Sequence, residues 1–205
     1  MNPDRLFVVR WTAAIAAALL LDNLLSGEVA EFGMFWPPVR AALVFGLLGL
    51  LQGLALRGKA RPAGFTFVTM MAGIVAVQTS MFTPPVDLAG WSELPPVIHS
   101  GFAIGLLMGI FQIAALHGRM RRPVAWPIAM TLGWGAGYAI LGVGMAVAVD
   151  GTDEASLRVG AIGGATVATM VIGGITGVAA LKLIRKEDDD EQSRRVDETG
   201  EEHRG

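Results

Sequence analysis

The chain has 205 residues, 53% of them hydrophobic and 17% charged, with 27 glycines, no cysteine and a formal net charge of −2. Soluble domains carry roughly 25% charged residues, so the polar surface is short. The absence of cysteine excludes a disulfide-framed secreted domain or a cysteine-ligated metal protein; the acidic balance excludes an electrostatically driven nucleic-acid binder, and the apolar content a disordered regulator.

A helix crosses the hydrocarbon core of about 30 Å with roughly 20 apolar residues. Six segments meet or approach this, predicting helices at about 7–25, 38–56, 64–82, 97–116, 125–149 and 158–184. The first is the least apolar: the run Trp11 to Leu21 reaches spanning length only with its charged flanks. Its basic start, short apolar run and small residues after Ser26 also fit a signal peptide, an alternative disfavoured by the repeat below. The third, fifth and sixth segments carry no Asp, Glu, Lys or Arg in Pro62–Val86, Pro123–Val149 and Val159–Leu181, and the fourth has only His99 as an ionisable group. None alternates as the strands of a membrane β-barrel do. The expected fold is all-α: an integral membrane six-helix bundle over residues 1–186. Residues 187–205 hold nine acids against Arg194, Arg195 and Arg204, a composition expected to form a disordered, solvated acidic tail.

Arg and Lys favour cytoplasmic loops. Arg5 and Arg10 lie at the start of the first helix; Arg57, Lys59 and Arg61 separate the second and third; Arg119, Arg121 and Arg122 separate the fourth and fifth; Lys182, Arg185 and Lys186 close the sixth. The other segments hold Asp22, Glu28, Glu31, Asp87, Glu93, Asp150, Asp153 and Glu154 with only Arg40 and Arg158 as cations. Both termini are therefore expected in the cytoplasm. Trp36 and Trp91 are expected at the outer interface and Trp11 and Trp126 at the inner one, where amphipathic rings gather.

A repeat organises these helices. The stretch Gly49, Gln52, Leu56, Arg57, Gly58, Lys59, Arg61 matches Gly109, Gln112, Leu116, His117, Gly118, Arg119, Arg121 without a gap, and Val178–Leu181 resembles Ile113–Leu116, with Gly177 in place of the glutamine. Trp11, Phe65 and Trp126 occupy equivalent places early in the odd helices. The chain reads as three αα-hairpins. Units of two spans each point the same way, so the expected arrangement is a parallel repeat about an axis along the membrane normal. Small residues recur at spacing four, notably Gly101, Gly105 and Gly109, and Gly173 and Gly177. This spacing lets helix backbones approach closely in lipid, serving packing within one bundle or, alternatively, homo-oligomerisation.

The motifs that would carry chemistry fail one by one. Gly53–Lys59 approaches a phosphate loop, but Ala60 stands where a magnesium-holding Ser or Thr belongs, and no strand precedes it. His99, His117 and His203 offer no metal-ligand spacing, and His99 and Ser100 are neighbours pointing about 100° apart on a helix. No enzyme activity, cofactor or metal is expected. The remaining candidates are polar groups in the spans, Gln52, Gln78, Gln112 and Tyr138, read as inter-helix ties or a polar lining. Arg40, His99 and Arg158 each stand near the outer start of an even helix, where the dipole disfavours cations; they are read as paired with loop acids such as Glu31, Glu93 or Asp153, or as an outer anion site.

The Gln-x-x-x-Leu endings before Arg-rich turns (Gln52–Leu56, Gln112–Leu116), with Trp126 and Leu132-Gly133-Trp134 following, resemble a loose group of uncharacterised bacterial glycine-rich polytopic membrane proteins built from two-helix units. The resemblance covers about residues 44–140 and implies no activity. Mitochondrial carriers also have three two-helix repeats, but their acidic proline signature is missing and these units are shorter. The expected role is a structural or accessory subunit of a membrane assembly in a bacterial inner membrane, its partners being the lipid bilayer and either other membrane subunits or further copies of itself. A small channel or transporter for a small solute or anion is the alternative.

Overall fold

The computed structural model describes residues 2–25, 36–57, 59–80, 94–120, 122–150 and 158–184. They form six α-helices: α1 (Pro3–Leu25), α2 (Trp36–Ala55), α3 (Pro62–Ser80), α4 (Leu94–Ala115), α5 (Ala125–Asp150) and α6 (Gly164–Leu183). A π-helical turn, Arg158–Gly163, runs directly into α6. No strand occurs among the described residues. The acidic tail, Trp91, Glu31, Glu93 and Asp153 lie outside them.

Long apolar runs become helices because only an internally hydrogen-bonded backbone is stable in hydrocarbon. Five helices, α2 to α6, are long and apolar enough to cross a membrane. The protein is accordingly a polytopic membrane protein. α1 has the length, 23 residues, but Asp4, Arg5, Arg10 and Asp22 lower its apolarity. Four helices start earlier than the sequence suggests, α1 at Pro3, α2 at Trp36, α3 at Pro62 and α4 at Leu94. Each takes proline into its first turn, a Pro-Pro pair in α2 and α4, where proline lacks nothing the helix needs.

Each helix packs against its neighbours in the chain, and α6 returns against α1, so the six close into a ring. At one end, Met120 pairs through its backbone with Ile184, and the Lys59 ammonium stands 5.4 Å from the Phe7 ring centroid. The start of α1, both basic turns and the end of α6 therefore share that end. Gly118 turns the chain there with a φ of +75°, open to glycine at little cost.

The seams of the ring are made by small residues. A Cβ added at Gly105 would overlap the backbone of Met130 and Thr131, and one at Gly109 would overlap Pro127; Gly101 faces Trp134 and Tyr138, so all three press on α5. Gly49 and Gly53 meet Thr66, Thr69 and Pro62 of α3. Gly133 and Gly137 face α6, Gly144 lies against Gly160 and Gly164, and Gly173 and Gly177 receive Thr12 and Trp11 of α1. With lipid outside, hydrophobicity cannot hold helices together, and close backbone approach supplies the dispersion that does. The outward face is apolar in return, with Leu43, Leu50, Leu54, Leu106, Ile110 and Leu132 among the exposed side chains.

Gly105→Ala should therefore cost about 1–3 kcal/mol, the usual penalty of overpacking a tight contact, read as a lower unfolding temperature in detergent. Gly174 has open space around it, and Gly174→Ala should leave that temperature within about a degree or raise it, because alanine favours helix by up to about 1 kcal/mol over glycine.

Candidate interior polar site

The inward stripes of the odd helices carry the largest buried groups. On α1 the stripe is Trp11, Ile15, Ala18; on α3 Phe65, Thr69, Ala72, Ala76; on α5 Trp126, Met130, Trp134, all buried. Spacings of three and four place such residues on one helix face. Trp11, Phe65 and Trp126 are fully buried, and Trp11 joins the other two at the centre, edge-on to Phe65 at 6.4 Å and to Trp126 at 6.1 Å between centroids. The expectation that Trp11 and Trp126 lie in the lipid interface is thus corrected. Both rings point into the bundle, because the same stripe that brings Ile15 and Met130 inward carries them.

A buried indole N–H needs an acceptor. Trp126 Nε1 donates to Gln112 Oε1 at 3.2 Å, and Gln112 Nε2 donates to Thr69 Oγ1 at 3.0 Å. One amide so links α5, α4 and α3, with its orientation set by the indole donor on one side and the hydroxyl on the other. Trp11 Nε1 donates to Thr176 Oγ1 at 2.9 Å, and that hydroxyl donates back to Ile172 O at 2.7 Å. Each indole thus binds a side chain on the even helix that precedes its own around the ring. Thr176 carries an acceptor role that sequence reading left unassigned; its signal was an i, i+4 threonine beside Gly177 on the seam with α1.

Gln52 is 1% exposed and its Oε1 has no hydrogen-bond partner. Gly49 and Gly53, on either side of it along α2, face Thr66 and Pro62 of α3, which places Gln52 at the level of Phe65. The ring there is phenyl and has no N–H to give. Gln78 is exposed. The buried stripe of α3 passes through Ala76, and residue 78 lies to the other side of the helix, so it contributes no interior lining.

Toward the other end, Phe45 of α2 meets Trp134 of α5 across the ring at 6.3 Å, and Tyr138 lies 6.0 Å from Trp134. Arg40 donates from Nε to Asp22 Oδ1 at 2.7 Å, a partly buried ion pair with side chains 27% and 39% exposed. Its acid is therefore Asp22, inside α1 and four residues beyond the buried Ala18, rather than an acid of the outer loops. No hydrogen bond or ion pair joins Arg40 to His99 among the described residues; His99 is exposed, and the side chain of Arg158 lies outside the described set. Among the described residues no group of three or more His, Asp or Glu side chains is placed to hold a metal ion.

Comparison of the chain with protein-family models, curated proteins and solved structures finds no match.

Gln52 and Gln112 should respond to the same substitution with opposite signs. Gln112→Met strands an indole N–H and should cost about 1–3 kcal/mol. Gln52→Met replaces an unsatisfied buried amide by an unbranched apolar side chain and should be neutral or stabilising by about 1 kcal/mol. Reversible unfolding of the two variants in mixed micelles checks the pair, and equal losses would contradict the assignment.

Proposed function

We propose that the protein is a structural or accessory subunit of a bacterial inner-membrane assembly, without a catalytic centre of its own. The observation that carries this reading is the centre of the ring: Trp11, Phe65 and Trp126 fill it, fully buried, and Gln112 spends its amide on holding two other helices. A conduit sets its polar groups toward a path for the solute and places charge or broken helices near the midplane. Here the interior amide and hydroxyl groups of Gln112, Thr69 and Thr176 face indoles and one another.

In the same reading α1 is a sixth span, retained in the membrane, and the six helices are three two-helix units arranged about an axis along the membrane normal. Support comes from the pairing of each indole with the preceding even helix and from the matching positions of Gln52 and Gln112. Phe65 and Gly177 are the two departures, and each is compensated locally: an unsatisfied amide opposite the phenyl ring, and an acceptor moved to the adjacent Thr176. The end bearing Arg57, Lys59, Arg61, Arg119 and Arg122 faces the cytoplasm, following the bias of basic residues, and the acidic tail extends from it.

Liposomes containing the purified protein alone should lose chloride, potassium and small neutral solutes at the rate of empty vesicles, while gentle extraction from the native membrane should yield it with the same other subunits in stoichiometric amounts. Saturable flux through the protein alone would establish the small channel or transporter instead.

A further inference from the structure

The mouth of the ring opposite the basic turns, outer in the orientation proposed above, holds a second polar cluster that the packing at the centre does not use. Asp22 lies 11 residues beyond Trp11 on α1, Arg40 lies 12 residues before Gln52 on α2, and Tyr138 lies 12 residues beyond Trp126 on α5. At a rise of about 1.5 Å per residue these three stand about 16–18 Å from the indole level, in one layer. They also extend inward stripes: Ala18 to Asp22, Arg40 to Val44 and Leu48, Trp134 to Tyr138. Tyr138 lies against Trp134, 6.0 Å between ring centroids. Beneath the layer, Phe45 and Trp134 meet and make an aromatic floor.

The layer is only part-satisfied. Arg40 uses its Nε toward Asp22 Oδ1. Among the described residues, its two terminal amino groups, Asp22 Oδ2 and the Tyr138 hydroxyl have no hydrogen-bond partner in the protein. A partly buried ion pair at the mouth of a membrane bundle still carries a desolvation cost, and ionisable groups in such helices mark candidate functional sites. A lone anion would gain the guanidinium fork but meet the Asp22 carboxylate, and a lone cation would meet Arg40. A ligand carrying both charges a few ångströms apart satisfies both ends at once, with its apolar part on the Phe45–Trp134 floor and the hydroxyl of Tyr138 at its side.

We infer that the outer mouth, at Asp22, Arg40 and Tyr138, binds a zwitterion that joins an ammonium group to an oxyanion. Two sources supply this chemistry: a free α-amino acid, or the headgroup of an ethanolamine phospholipid from the outer leaflet. The oxyanion takes the free amino groups of Arg40, and the ammonium takes Asp22 Oδ2. Binding at this mouth requires no passage past the three central rings, so it is independent of whether the protein conducts.

Calorimetric titration of the full-length protein, delipidated in maltoside micelles, tests the inference with wild type alone. The probes are leucine, O-phosphoethanolamine, isovalerate and isoamylamine. At least one zwitterion should bind saturably with a dissociation constant below about 10 mM, and each single-charge analogue should be at least about tenfold weaker, the loss expected for one charge-assisted contact. Leucine binding without phosphoethanolamine assigns the site to free amino acids; the reverse assigns it to the lipid headgroup; binding of both supports the shared chemistry. Arg40→Gln and Asp22→Asn should each weaken the bound zwitterion at least about tenfold, and Tyr138→Phe, which keeps the ring packing, by a few-fold. Failure of both zwitterions to bind, or single-charge analogues binding as well as they do, overturns the inference.

Discussion

The indole N–H of Trp126, fully buried in a bundle surrounded by lipid, has no water to turn to, and the rest of the interior is arranged around that demand. Gln112 supplies the acceptor and, having done so, has its amide group fixed in orientation, so its donors point at Thr69. Three helices are thereby held in register by two hydrogen bonds. In water such bonds contribute little net stability, because the unfolded chain makes equivalent bonds to solvent. Within a membrane the alternative partner is another protein group, and the measured worth per bond stays modest. Their larger effect is on specificity: any rotation of α4 about its axis that removes Gln112 from the centre leaves an orphan donor.

The glycine seams make this centre reachable. Gly105 and Gly109 let α4 lie directly on the backbone of α5, and Gly49 and Gly53 do the same for α2 on α3. A ring of six helices with ordinary side chains at every seam would be wider, and its axis would need more than three rings and a few aliphatic side chains to fill it. Close seams and a filled axis are thus two aspects of one packing solution, and together they direct the larger aliphatic side chains, Leu43, Leu50, Leu106 and Ile110, outward into lipid. The interior is not uniform along its length. Near the basic turns it is apolar and closed, with Leu56, Leu116 and Trp126 all buried, and it becomes polar toward Asp22 and Arg40.

Much of this was legible in the sequence, for identifiable reasons. Charge-free runs of 20 or so residues admit few interpretations in a chain this apolar, so helix number and the loops between helices followed from hydropathy. Glycine at spacing four announced close contacts, though not which helix lay opposite. What stayed hidden depended on which way each helix faces. The helices are apolar all round, so periodicity could not tell an inward tryptophan from one in the interface; Trp11 and Trp126 were misplaced on that account, and Gln78 was read as interior when it lies off the stripe through Ala76. Asp22 falls within the expected first helix, but hydropathy does not show that its carboxylate, and not a loop acid, meets Arg40. The spacing of Trp11, Ile15, Ala18 and Asp22 contained that information, but only once Trp11 was known to face the centre.

The bond from Trp11 to Thr176 joins residues 165 positions apart, almost the full span of the folded chain. During synthesis at about 5–20 residues per second, α1 therefore waits roughly 10–30 seconds for its acceptor. For that interval the indole of the first helix faces a ring with one wall missing. Until α6 arrives, any protein that attends the nascent bundle has a defined gap to fill, between α1 and α5, and α6 closes that gap.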